Sequence, residues 1–306
     1  MKKYPRRHFL QNTAGLIAMA LAGTAVDFKK YKPLLSFSTL GCPDWSFRSI
    51  VDFAEKNGYD GIEVRGIQRQ LHLPKCPEFS TPKKIAETRK VVKDKGVKIV
   101  NLGASSSLHY SNAVERKKNI DEAKEFIDLA AALGSPYIRV FPNDFPPTQE
   151  RNATIDLISQ GLLELGDYAK GSLVTVLLES HGQVVKSDDL ETIMKAAEHD
   201  RVGLVWDIVN MWVVTKEPPS LVYSKLKKYI RHTHIKDLKV VNNKEQYTLL
   251  GKGETPIFEG IDVLSKGNYK GYYSFEWEKL WHPEIVEPEI ALADYPEVMK
   301  AHFEKK

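Results

Sequence analysis

The feature that most constrains this chain is a repeated alternation. From about residue 34 to the end, short β-branched runs alternate with stretches whose apolar residues recur at spacings of three and four. Period two reads as strand and period 3.6 as helix. The candidate strands are 36–41, 61–66, 98–105, 137–142, 174–182, 202–210, 230–237 and 271–277. Helical patterns lie between them, including 47–57, 82–95, 115–133, 152–169 and 188–198. Several stop on a glycine before the next strand, as at Gly58, Gly96, Gly134 and Gly267, which suits a helix C-terminus. Eight βα units in one uninterrupted body predict an α/β fold, a single-domain (β/α)8 TIM barrel over 34–304, whose active site lies at the C-terminal ends of the strands. An open doubly wound sheet is the rival. Its Gly-rich phosphate loop is missing, because the first strand runs into Leu40-Gly41-Cys42-Pro43-Asp44-Trp45. The longest interruption, 238–257, is polar and reads as a loop or hairpin over the barrel mouth.

The first 28 residues read differently. Lys2, Lys3, Arg6 and Arg7 precede a short apolar run, 14–25, rich in small residues. A basic start, a short apolar run and an Ala-x-Ala-like end form a secretory signal, too short to span a bilayer. Arg6-Arg7-His8-Phe9-Leu10 resembles the twin-arginine motif, which exports folded proteins, so 1–28 is expected to be a leader and the body to reside in the periplasm or outside the cell. No membrane span is expected after its removal.

Charge narrows the partners. The chain carries 44 Lys+Arg against 40 Asp+Glu, net +4, and the leader holds part of the excess. A nearly neutral body gives nucleic-acid binding no support. With 42% hydrophobic and 27% charged residues the chain is neither disordered nor a multi-span membrane protein. Two cysteines, Cys42 and Cys76, are too few for a disulfide framework or a Cys-rich zinc site. An oxidising compartment would permit them to pair, and the sequence leaves this open.

Four consecutive strands end on ligand-type residues: Glu179, Asp207, His234 and Glu276. The first three are spaced by about one βα unit each, and the last by one unit plus the long loop. Each strand therefore delivers one polar group at a similar height. Three carboxylates and an imidazole around one point repel without a cation. The set suits one divalent ion such as Mn2+, Mg2+, Co2+ or Zn2+, with positions open for substrate oxygens.

The motifs Asp60-Gly61-Ile62-Glu63, Glu179-Ser180-His181-Gly182, Trp206-Asp207-x-x-Asn210, His232-x-His234-Ile235-Lys236-Asp237 and Phe275-Glu276-Trp277-Glu278 resemble the xylose isomerase-like TIM barrel superfamily. Within it they are similar to the sugar phosphate isomerase/epimerase family, which includes inosose dehydratases and ketose 3-epimerases. The resemblance spans about 34–304. It implies that Glu179, Asp207, His234 and Glu276 hold one divalent metal, and that Glu179 and Glu276 also exchange a proton with the substrate.

Such a site would grip a keto-sugar or keto-polyol, acidify the C–H beside the carbonyl and stabilise the enediolate. Proton return on the opposite face gives epimerisation or isomerisation; loss of a β-hydroxyl gives dehydration, a lyase reaction. Lys236, two beyond His234 on the same face, is a third catalytic candidate. Glu63, His109, Arg139, His181, Asn210 and Trp45 are the substrate-binding candidates. Trp277 and Trp281 offer further stacking faces, Glu254 a loop closure, and His232 reads as a satisfied core histidine. An apurinic endonuclease shares this barrel, but Asn210 stands where it would place a histidine and Lys236-Asp237 is not its Asp-x-His pair. A non-catalytic periplasmic sugar-binding protein would leave the metal set without a purpose. Export favours an unphosphorylated substrate, such as a keto-sugar or 3-keto-glycoside. A homo-oligomer remains open.

Overall fold

The computed structural model describes residues 32–242 and 244–305. The expected leader at 1–28 lies outside the described residues. Eight parallel strands close a barrel: β1 (Leu34–Ser38), β2 (Gly61–Val64), β3 (Lys98–Ser107), β4 (Tyr137–Phe141), β5 (Thr175–Glu179), β6 (Val202–Asp207), β7 (Ile230–Ile235) and β10 (Tyr272–Phe275). They follow one another around the ring in chain order, and β10 closes against β1. This is the TIM barrel that the alternation predicts. Every strand faces both the barrel interior and the helical ring, so both faces are buried, as along all of β2 and β6.

Local chemistry sets the helix starts. Ser46, Thr81 and Asn112 cap α1 (Phe47–Lys56), α2 (Pro82–Asp94) and α3 (Ala113–Leu133) by accepting backbone N–H groups of the first turn. Gly134 ends α3 in the left-handed region, at φ 76°, which glycine adopts without strain. The ring continues with α4 (Arg151–Ala169), α5 (Ser187–Ala196), α6 (Ile208–Thr215), α7 (Pro219–Leu226), α8 (Ile257–Lys266) and α9 (Pro288–Glu304).

All barrel strands but β3 end one to three residues earlier than their sequence suggests, and two of these ends matter for the site. The first strand stops at Ser38 because Thr39–Gly41 winds into a 3-10 turn. The sixth stops at Asp207 because the Asp207 carboxylate caps α6, its Oδ1 accepting from Val209 N at 3.0 Å and Asn210 N at 2.8 Å. Asn210 therefore lies in the first turn of α6 rather than on a strand.

The segment after β7 forms a hairpin, as expected, from β8 (Asp237–Val241) and β9 (Lys244–Thr248). Asp237 fixes the chain that follows. Its Oδ2 accepts from Gly251 N and Gly253 N, both at 2.9 Å, and its Oδ1 accepts from Thr255 Oγ1 at 2.7 Å. No described helix is long and apolar enough to cross a membrane.

Cys42 and Cys76 are both free and buried, so the pairing that an oxidising compartment would permit is not formed. Each thiol instead donates to a local carbonyl, Cys42 to Thr39 O and Cys76 to Gln70 O. Burial, with Glu289 adding to it, pushes the Cys42 thiol far above its ordinary range; burial and Glu78 push Cys76 up to about 12. Both thiols stay protonated at neutral pH. Ellman's reagent is expected to titrate neither in the native protein and both after denaturation; rapid native-state reaction would place a thiol at the surface.

Candidate metal centre

Glu179 ends β5, Asp207 ends β6, His234 lies in β7 and Glu276 follows β10. The registers set them side by side: His234 pairs across the sheet with Asp207 and with Ser274, and Glu179 with Val205. One donor atom from each of the four lies within 4.8 Å of every other, and all four residues are buried. The structure thus brings together the four strand-end residues singled out in the sequence.

His234 sits at the centre of the group. Its Nδ1 lies 3.2 Å from Glu179 Oε1, 3.3 Å from Glu276 Oε1 and 3.9 Å from Asp207 Oδ2. Its Nε2 faces the other way and lies 3.1 Å from Glu63 Oε2. The same Glu63 oxygen lies 2.8 Å from His232 Nε2 and accepts from Asn101 Nδ2 at 3.2 Å. A carboxylate holding the far nitrogen of an imidazole fixes the ring and its tautomer and leaves the near nitrogen as the ligand. His232 is thereby a core histidine held through its Nε2, but not the satisfied one expected, because its Nδ1 is buried without a partner.

The counter-charges come from two sides. Lys236 Nζ lies 2.9 Å from Asp207 Oδ2, 2.9 Å from Glu276 Oε2 and 2.6 Å from Glu278 Oε1. Arg139 Nε lies 3.0 Å from Glu179 Oε2. Those contacts are close but poorly aligned at Glu179 Oε2 and Asp207 Oδ2, which remain buried without a proper hydrogen bond. Burial alone would neutralise every group here. At Glu276 it is outweighed by His234 and Lys236, which hold the carboxyl well below its usual range. At His234 it is outweighed by Glu276, Glu63 and Glu179, which hold the imidazole well above its own. At Asp207 burial wins over Lys236, and Glu276 adds to it, pushing the carboxyl up to about 7. The chain's own cations therefore leave negative charge uncompensated, and an N/O donor set of this kind fits a divalent ion.

A cavity of about 350 Å3 opens over the cluster. Six expected residues line it: Arg139, Glu179, His181, Asn210, Lys236 and Glu276. The His181 imidazole lies 2.9 Å from Asn143 Oδ1 and packs on Phe141; burial pushes it down, so it stands neutral. Trp281 also reaches the cavity.

Other expected residues sit elsewhere. Glu63 is fully buried among imidazoles rather than facing the cavity. His109 misses the wall because β3 runs to Ser107, two residues past its expected end, and leaves the ring against Tyr110. Trp45 stands at the entry to α1 and packs on Phe53. Trp277 is buried, its indole donating to Val286 O. Glu254 accepts from Val240 N and does not line the cavity. Beside the apolar Leu40 and Phe141, three polar lining residues had been given no role: Arg65, Glu278 and Tyr247. Arg65 and Glu278 each lie two positions beyond a residue already singled out, Glu63 and Glu276, so period two pointed to them. Tyr247 arrives on the hairpin and has no such signal.

A sequence model of the family described as xylose isomerase-like TIM barrel matches residues 51–301. Among curated relatives, 3-dehydroshikimate dehydratase of Bacillus anthracis is 28% identical over 71% of this chain and 78% of its own. Inosose isomerase of Halalkalibacterium halodurans is 24% identical over 78% of this chain and 83% of its own. Among solved structures, the IOLI protein with a bound zinc atom superimposes with a TM-score of 0.73 at 20% identity, covering 86% of this chain and 96% of that one.

Divalent metal at one hundred times its dissociation constant is expected to raise the melting temperature by roughly 5–10 °C, and Asp207→Asn to abolish the shift. Glu63→Gln, which keeps the shape but weakens the grip on His234, is expected to lower metal affinity about 10–100-fold by calorimetry. An unchanged affinity would deny Glu63 any part in the centre.

Proposed function

The chain belongs to the xylose isomerase-like TIM barrel family, and from that premise we propose that it is a divalent-metal-dependent isomerase or epimerase acting on a keto-sugar or keto-polyol, by proton transfer at the carbon beside the carbonyl. The observation that supports this most is a pair of buried carboxylates, Glu179 and Glu276, both within 3.3 Å of His234 Nδ1 and both opening onto one cavity. A bound divalent ion supplies Lewis-acid polarisation of a carbonyl and its neighbouring hydroxyl. Glu179, Asp207, His234 and Glu276 are the residues that would hold it.

The chain's own groups carry the proton. Glu276 is kept ionised by His234 and Lys236, and Glu179 by Arg139 and His234 against the opposing effect of burial. Both are bases at neutral pH, as abstraction requires. One carboxylate takes the proton from carbon, and the other delivers to the opposite face a proton that it has drawn from solvent in the cavity; the first then releases its own proton to solvent, which restores both. Lys236 is kept protonated by Asp207, Glu276 and Glu278 despite its burial. Its Nζ stabilises the developing enediolate oxygen. The same ammonium can protonate a departing β-hydroxyl, which gives dehydration. The relatives named as a dehydratase and an isomerase support both outcomes. Export by a twin-arginine route belongs to the proposal as well, and favours a substrate without phosphate.

Metal-loaded protein incubated with keto-sugars in D2O is expected to place deuterium beside the carbonyl, and Glu276→Gln to slow the exchange by about 10²–10⁴-fold. Product mass separates the branches: unchanged apart from deuterium for epimerisation, lower by one water for dehydration. No exchange on any keto-sugar or keto-polyol would leave a binding protein.

A further inference from the structure

Two guanidinium groups share one wall of the cavity. Arg65 follows β2 and Arg139 lies in β4, with β3 between them. Both are nearly inaccessible, 6% and 2% exposed, and both line the cavity. The strand between them is cut back to make room. A Cβ on Gly103 would lie 2.6 Å from Arg65 Cδ and 3.0 Å from Arg139 Nη2. Each side chain also leans on that strand: Arg65 donates to Ser105 Oγ at 3.0 Å, and Arg139 to Ala104 O at 3.1 Å.

Their partners are unequal. Arg139 has Glu179 on its Nε. Arg65 has no carboxylate within ion-pair distance among the described residues, and burial and the neighbouring Arg139 push it down to about 10. A buried guanidinium beside a like charge is costly unless an anion joins them. Glu179, Glu276 and Glu122 offset part of the Arg65 charge from farther away, and none pairs with it directly, Glu276 and Glu278 being engaged by Lys236.

We propose that Arg65 and Arg139 form a subsite for a carboxylate carried by the substrate, so that the enzyme takes a keto-sugar or keto-polyol acid in preference to a neutral sugar. This rests on the proposed function above and adds a substrate class to it. The N–H groups that face neither Glu179, the Ala104 and Gly103 carbonyls nor Ser105 are free to meet the two planar oxygens of a carboxylate. Export, as proposed above, disfavours a phosphate.

The test is calorimetric binding to the metal-loaded full chain, with 5-keto-D-gluconate, D-fructose and D-fructose 6-phosphate as probes. The keto-acid is expected to bind at least tenfold tighter than fructose. Arg65→Met should weaken it by roughly 10–100-fold, and by clearly more than it weakens fructose, and Arg65→Lys should lose less. Should Arg65→Met fail to fold by circular dichroism, the wild-type preference and the Lys variant decide. Equal binding of keto-acid and fructose, indifference to Arg65, or tighter binding of the phosphate would overturn the subsite. Deuterium exchange on the same probes separates the two readings. Arg65-dependent binding of the keto-acid without exchange on any probe keeps the subsite and removes the proton transfer. Exchange on fructose with no advantage for the keto-acid does the reverse.

Discussion

Concentrated negative charge inside a barrel mouth is the constraint to which the rest of the site answers. Glu179, Asp207 and Glu276 gather around His234 in a place from which water is largely excluded. An ionised carboxylate removed from water is costly unless its charge is met at close range. Lys236 and Arg139 meet part of it, the first from the link between β7 and β8 and the second from β4. Asp207 shows what is left over, for its proton is still held near neutrality. A divalent cation would close that gap with donors already in place.

The surrounding structure serves this arrangement in layers. Glu63 grips His234 from behind and is itself steadied by His232 and Asn101. Asp207 divides its work, one oxygen capping α6 and the other turned toward Lys236. Asp237 has no place among the ligands. By tying down Gly251, Gly253 and Thr255 it holds the segment behind the hairpin that carries Tyr247 to the cavity, where the phenol donates to Glu278 at 2.9 Å.

Much of this was legible in the sequence because barrel geometry is periodic. A strand that alternates inward and outward, repeated at a regular βα spacing, converts sequence distance into height on the barrel wall. Glu179, Asp207, His234 and Glu276 could be aligned on that basis alone. The same rule extended by two positions reaches Arg65 and Glu278. What it could not convey was depth. Glu63 obeys the inward period but sits one layer lower, where imidazoles rather than substrate meet it. Trp45 and His109 lie past strand ends, where the chain follows a 3-10 turn or a strand two residues longer than its pattern suggests. Tyr247 depends on a hairpin, whose placement follows from tertiary contacts and not from local spacing.

The most direct measurement of the central claim is anomalous diffraction from crystals grown with Mn2+. A metal-centred site predicts one strong peak about 2.0–2.3 Å from oxygens of Glu179, Asp207 and Glu276 and from His234 Nδ1. A peak lodged instead between Glu63 and His232, or no ordered peak at saturating metal, would contradict it.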